Sequence, residues 1–358
     1  MTGEAATPVS RVTLAPGYSI SRLVTGCWQL AEGHGGNRQS AEEILRRFVA
    51  GVEAGFTTFD CADIYTGVEA LLGRLLRQAG MRDRVQVHTK FVPDRAALPS
   101  LTPKDVRRGV ERSLRRLGVE RLDLVQFHWW DYLIPGYLEA FDALGRLREQ
   151  GMIRHLGLTN FDTDHLSELM DTGVPLVSIQ LQYSLLDRRP ERAMSQACQA
   201  HGIAMLPYGV LAGGILGERF LGAPAPGREN RSLVKYGLVA SESGGWKAVQ
   251  KLLQCLDGIA RLHGVDLASV AAAWVLARPG VAAIIVGAGR VERFADHRRM
   301  LRLRLLPRDL QEIDSVLTQL RNPPGDVFEL ERDEAGPHAK IMKTDLNARS
   351  TGLEERTS

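Results

Sequence analysis

Val24-Thr25-Gly26-Cys27-Trp28-Gln29 ends the first strand of a repeating strand–helix pattern, and the turn after that strand decides the fold. A doubly wound nucleotide-binding sheet carries Gly-x-Gly-x-x-Gly at this point. Gly26-Cys27-Trp28-Gln29 cannot serve as that turn, and the later Gly287-Ala288-Gly289 lacks the third glycine and follows the last strand. Working outward, strand-like runs are expected at 24–27, 57–60, 85–90, 122–128, 155–159, 176–180, 204–208 and 282–286. They are rich in β-branched residues and leucine with little alternation, as when both faces of a strand are buried. Amphipathic stretches separate them. In one, Ile44, Phe48, Val52 and Ala54 recur at helical spacing, and another opens on Thr102-Pro103, an N-cap followed by proline at the first helical position. Strict alternation implies parallel strands with right-handed crossovers. Eight units favour a closed (β/α)₈ TIM barrel over an open sheet. A hairpin over 12–14 and 19–23, turning at Pro16-Gly17, precedes it.

The chain has 358 residues, a length that leaves one domain or two open. With 44% hydrophobic and 24% charged residues it has the composition of a soluble globular protein. That excludes a disordered regulator, a fibrous repeat and a membrane protein. The net charge of +3 is too small for the footprint of a nucleic-acid binder, so no nucleic acid and no membrane are expected as partners. The start lacks a secretory h-region. Cys27, Cys61, Cys198 and Cys255 are scattered and the histidines form no HExxH, so no metal site is expected and a reduced, cytoplasmic setting is the default. Two segments do not fit the repeat. Residues 209–245, rich in Gly and Pro, read as a lid-like loop after the seventh strand. Residues 322–358 read as a C-terminal extension to a single barrel over 11–321. Its end, 347–358, reads as frayed, and Val327-Phe328-Glu329-Leu330 is apolar enough to dock.

In a barrel, function sits where the strands end at their C-terminal face. Polar groups stand there in succession: Asp60 with Tyr65 just beyond, Lys90, His128, Thr159-Asn160, Gln180 and Tyr208-Gly209. Singly, each has a bland explanation: a turn-forming Asp, a rim Tyr, a snorkelling Lys, a packed His. Together they are hard to explain as stability alone. A buried Lys–Asp pair beside a Tyr would lower the phenol pKa. A Tyr so tuned donates a proton to a carbonyl oxygen near neutral pH, and the imidazole supplies that oxygen with a second hydrogen bond. These are parts for reducing a carbonyl, with a hydride still to be supplied.

Gly55-Phe56-Thr57-Thr58-Phe59-Asp60-Cys61-Ala62-Asp63-Ile64-Tyr65 resembles a signature of the aldo-keto reductase superfamily. Val87-His88-Thr89-Lys90 and Asp123-Leu124-Val125-Gln126-Phe127-His128-Trp129 are similar to two more, and the likeness runs from about Val24 to His297 in the family's order. The resemblance implies NADPH, or NADH, bound at the C-terminal mouth, and hydride transfer to or from a small carbonyl or alcohol without metal. By the same resemblance Tyr65 is the general acid, Lys90 tunes it, Asp60 pairs with Lys90 and His128 orients the carbonyl. Gly157-Leu158-Thr159-Asn160-Phe161, with Gln180, resembles the family's carboxamide-binding set, and Tyr208 its stacking platform. Cys27, Trp28, Gly209, Leu211, Gly213, Gly287, Ala288, Arg293 and His297 complete the implied cofactor contacts, Arg293 facing a 2′-phosphate. Trp28, Tyr65, His128 and Trp129 are the implied substrate contacts, with Trp130, His34-Gly35-Gly36 and the lid around them. Trp246 either belongs to the lid's exit or packs a helix.

The sequence departs from the family pattern at Gly209, where serine is usual, and at His297, where asparagine is. A monomer or small homo-oligomer is expected. A cofactor-binding regulatory or channel-type subunit, and a biosynthetic enzyme with an internal redox step, are the alternatives.

Overall fold

The structure, a computed structural model, describes residues 8–31, 39–287 and 293–347. Eight parallel strands follow one another around a barrel: β3 (Leu23–Gly26), β4 (Thr58–Asp60), β5 (Gln86–Phe91), β6 (Leu122–Phe127), β7 (Ile153–Thr159), β8 (Leu176–Gln182), β9 (Ala204–Tyr208) and β10 (Ile284–Gly287). β10 pairs with β3. The ring closes through the bridge Met205–Val281, where the Met205 N–H donates to Gly280 O at 2.8 Å and the Ala282 N–H to Met205 O at 3.0 Å. The antiparallel hairpin β1 (Arg11–Ala15) and β2 (Tyr18–Ser21) lies at the opposite end from the strand C-termini. Its Tyr18 and Ile20 pack with Val24, Leu124, Leu206, Ala283 and Ile285, so the lower mouth is plugged and only the upper one is left for a site.

Helices alternate with strands as the pattern requires: α1 (Ala41–Glu53), α2 (Val68–Leu76), α3 (Pro103–Leu117), α4 (Tyr137–Glu149), α5 (Thr163–Asp171) and α6 (Ala193–His201) each follow a strand from β3 to β8. Their ends are set by local chemistry. Ser40 and Glu43 form a capping box at α1, and Thr102 and Asp105 another at α3, which stops at left-handed Gly118.

Three helices follow β9: α7 (Arg231–Glu242), α8 (Trp246–His263) and α9 (Leu267–Leu276). Of residues 209–245, expected as one lid-like loop, 209–230 form a loop with two short 3₁₀ turns, while 231–242 form helix α7. Asn230 caps α7, which buries Leu233, Tyr236, Val239 and Ala240. Trp246 belongs to helix packing: its Nε1 donates to Ala223 O at 2.9 Å and its ring stands edge-on to Phe220. After β10 come α10 (Arg293–Arg302), α11 (Pro307–Leu317) and the single turn α12 (Glu329–Arg332).

The extension docks as its apolar stretch implies, with Val327 and Phe328 buried. From there it crosses the upper mouth. Ile341 O accepts from Arg231 at 3.2 Å, Thr344 O from the Arg95 N–H at 3.1 Å, and Asn347 Nδ2 donates to Val92 O at 2.8 Å. Residues 348–358, the 34–36 loop and Ala288 lie outside the described residues. Among the described residues no single helix is long and apolar enough to cross a membrane.

Candidate active site

Asp60 ends β4, Lys90 sits near the end of β5, and His128 follows β6 by one residue, so parallel neighbouring strands bring the three together. Lys90 Nζ lies 2.9 and 2.8 Å from the two Asp60 carboxylate oxygens and donates to Cys61 O at 2.7 Å. The same Asp60 Oδ1 accepts from Gln126 Nε2 at 3.0 Å and from Gln180 Nε2 at 2.6 Å. Asp60 and Lys90 are both buried, so three donors, making four hydrogen bonds, hold one carboxylate in a place where an unpaired charge would be costly. Burial alone would lower the Lys90 pKa. Asp60 and Tyr65 outweigh it and keep the ammonium above its ordinary value.

Tyr65 stands over this pair, with Lys90 Nζ 5.2 Å from its ring centroid. Its phenol is not tuned downward as expected. Burial pushes it up to about 12, while Lys90 pulls the other way. The ammonium is neutralised by Asp60 at hydrogen-bond distance, so desolvation of the phenolate wins. Tyr65 is therefore a proton-bearing phenol at neutral pH.

His128 Nδ1 lies 3.1 Å from Thr159 O. A carbonyl oxygen only accepts, so Nδ1 carries the hydrogen; the tautomer is assigned by this partner. Burial, then the Arg332 charge, lower the imidazole pKa to about 3 against the pull of Thr159, so the ring is neutral at pH 7. Nε2, which has no protein partner, is then a lone pair. In this tautomer it accepts a hydrogen bond, such as that of an alcohol hydroxyl. It does not donate to a carbonyl oxygen as the sequence reading has it.

These groups line the floor of a cavity of about 1240 Å³. Trp28, Thr159, Asn160, Gln180, Tyr208, Gly209, Leu211, Gly213, Gly287, Arg293 and His297 line it too, so one space collects nearly all the residues implied from sequence. Two do not reach it. Cys27 is fully buried, its N–H bonded to Asp60 O at 2.9 Å, and it adds nothing to the lining. Trp129 is also fully buried, its Nε1 donating to Asp131 O and Ile134 O at 3.0 Å. Its neighbour Trp130 takes the cavity position, edge-on to His128 at 4.4 Å. Ala288 lies outside the described residues.

The Gly209 departure has a structural cause. Gly209 and Gly213 both have left-handed φ, +69° and +66°, and Tyr236 of α7 packs on both. A Cβ at Gly209 would fall 2.8 Å from Tyr236 Cε1 and 2.9 Å from Cζ, and closer still to the hydroxyl. His297, buried against Phe56 and Phe294, has its pKa lowered to about 4 by burial and Arg293.

Residues missed from sequence come from the far side of the mouth. Phe328 faces His128 at 5.4 Å. Lys235 of α7 lies 5.2 Å from the Tyr208 ring and 3.4 Å from Glu331, which also meets Arg189. Gln126 had a signal: it lies two residues before His128, which directly continues β6, and so shares its face. Phe328 had only the apolar character of its stretch and Lys235 had no signal, because the folded extension and α7 bring them to the site.

The chain matches the model of the aldo/keto reductase family over residues 22–318. The chain belongs to this family of oxidoreductases. It is 28% identical over 317 residues to "Probable aldo-keto reductase 1" of Glycine max, covering 87% of this chain and 88% of the relative. It is 27% identical to "NADH-specific methylglyoxal reductase" of Escherichia coli K12, covering 81% and 93%. A solved thermostable aldo-keto reductase, in complex with the inhibitor epalrestat, superposes with a TM-score of 0.68 at 26% identity, covering 85% of this chain and 98% of that one. The fold of this aldo-keto reductase and its order of strands agree with that likeness.

Proposed function

We propose that this aldo-keto reductase reduces an aldehyde or ketone with NADPH, or oxidises the alcohol in reverse, with Tyr65 as the proton donor. The observation that carries the reading is the Asp60–Lys90–Tyr65 chain under an open cavity, beside a neutral His128. The residues fit a dinucleotide. The cavity runs from Tyr65 and His128 to Arg293 and His297 and exceeds the volume of a typical single small-molecule pocket. Tyr208 offers a half-buried aromatic face, and left-handed Gly213 and Gly214 leave bare backbone beyond it. Tyr208 would take the nicotinamide face, Thr159 and Asn160 its carboxamide, and Arg293 the 2′-phosphate. Gln180 Nε2 donates to both Asp60 Oδ1 and, at 3.1 Å, Gln126 Oε1, so only its oxygen is left for the carboxamide. A bound nicotinamide supplies the hydride that this chain lacks.

Tyr65, a phenol at pH 7, holds its proton toward the carbonyl oxygen and releases it as negative charge develops there. Lys90, kept charged by Asp60, stabilises the resulting phenolate. His128 Nε2 then accepts from the new alcohol hydroxyl and holds it in place. Trp28, Trp130 and Phe328 line the same cavity and exclude water.

NADH is the second reading, because Asp266 and Asp296 line the Arg293 end and an anion there disfavours a 2′-phosphate. The test is oxidation of NADPH and of NADH with a panel of aldehydes and ketones. Turnover with either supports the reductase reading. A protein that binds cofactor yet turns over nothing in the panel contradicts it and favours a regulatory subunit.

A further inference from the structure

The C-terminal extension lines the cavity with Phe328, and just behind it Arg332 reaches the backbone of two strand ends. Arg332 Nη2 donates to Trp129 O and to Asn160 O, both at 2.9 Å. These carbonyls belong to different strand ends: Trp129 follows His128 after β6, and Asn160 follows Thr159 after β7. The guanidinium carbon lies over the Tyr132 ring, 4.1 Å from its centroid, and 5.2 Å from that of Phe328. Glu331, next in the chain, is fixed by Arg189 and Lys235. The clamp is thus anchored to the barrel on both sides.

Asn160 has φ 62°, the left-handed region, without being glycine. Asparagine tolerates this region better than most side chains, but it is held there by its neighbours. Two groups depend on that turn. The carbonyl just before it, Thr159 O, fixes the hydrogen of His128 on Nδ1. The Asn160 side chain accepts from the Tyr208 hydroxyl at 2.9 Å and so sets the aromatic platform.

We infer that Arg332 is a positioning residue: by bridging the carbonyls of Trp129 and Asn160 it holds the left-handed turn that orients both His128 and the Asn160–Tyr208 pair. A lysine would keep the charge without the planar surface that lies against Tyr132 and Phe328. The extension is then a working part of the site rather than an appendage. This rests on the reductase reading for its kinetic consequence, but the positioning itself is independent of it.

The test uses Arg332→Met and Arg332→Gln in the full chain, with folding checked by circular dichroism. The 15N shifts of the His128 ring report its tautomer in the protein alone. The wild type is expected to hold the single Nδ1–H form, and both variants to show the Nε2–H form as well. NADPH is expected to bind several-fold more weakly, and kcat to fall about tenfold with the carbonyl KM little changed. If Arg332→Met does not fold, Arg332→Gln carries the same comparison. An unaltered His128 tautomer with wild-type cofactor affinity in a folded variant overturns the inference. A wild type that reduces no carbonyl sinks the reductase reading alone, since the tautomer and cofactor measurements still judge Arg332.

Discussion

Replacing Gly209 with alanine is expected to be among the most costly single-methyl additions in this protein. Two terms follow from the geometry. The residue sits at φ +69°, where a Cβ costs about 1–2 kcal/mol. The added carbon would also lie 2.8–2.9 Å from ring carbons of Tyr236, which is buried and also packed on Gly213. Overpacking of this kind costs about 1–3 kcal/mol. Together they give a loss of about 2–5 kcal/mol in urea unfolding, and weaker NADPH binding because the backbone after Tyr208 must move. A cycle with Tyr236→Ala separates the terms. In that background the steric part vanishes and about 1–2 kcal/mol of backbone strain remains. A Gly209→Ala protein within 0.5 kcal/mol of wild type, or a penalty unchanged by Tyr236→Ala, would refute the reasoning.

Lys90→Met should destabilise by about 3–5 kcal/mol, because it leaves the buried Asp60 carboxylate without its cation, whereas Asp60→Asn/Lys90→Met should recover much of that in urea titrations. His88 is fully buried inside the barrel with both ring nitrogens unpartnered, and its pKa is lowered from 6.5 to about 4, by burial first. Its stabilising contribution is therefore whole above pH 6.5 and is lost as pH falls toward 4, by about 3 kcal/mol. His88→Leu should flatten the stability–pH curve in that window, and an unchanged slope would show that folding does not lower the His88 pKa. Arg293→Ala should raise the KM for NADPH far more than for NADH, and equal effects would remove the 2′-phosphate role.

The strands were legible because β-branched runs bounded by polar residues recur in order, and the polar residue ending each run pointed at one mouth. Asp60, Lys90 and His128 needed no more than that. Parity explains one error. His128 faces inward, so Trp129 turns toward the helices with Phe127, and Trp130 faces in again; reading two adjacent tryptophans as one pocket wall ignored the alternation. Helix α7 was hidden by the glycines and prolines before it, although Asn230 followed by Leu233, Tyr236, Val239 and Ala240 carries a cap and a helical period. The Tyr65 and His128 chemistry was not legible from spacing. It depends on how far burial outweighs a neighbouring charge, and on which carbonyl meets an imidazole nitrogen. Phe328 was legible only as part of an apolar stretch able to dock, and nothing local marks Arg332, because the groups they touch lie some 200 residues away.

The central claim is that Tyr65 delivers the proton while its neighbours hold it in place. It is tested most directly by single-turnover reduction of a carbonyl substrate by wild type and Tyr65→Phe, with NADPH affinity measured in parallel. The predicted result is a loss of about 10²–10⁴-fold in rate with cofactor affinity within twofold of wild type. A Tyr65→Phe protein that reduces the carbonyl at the wild-type rate would contradict it.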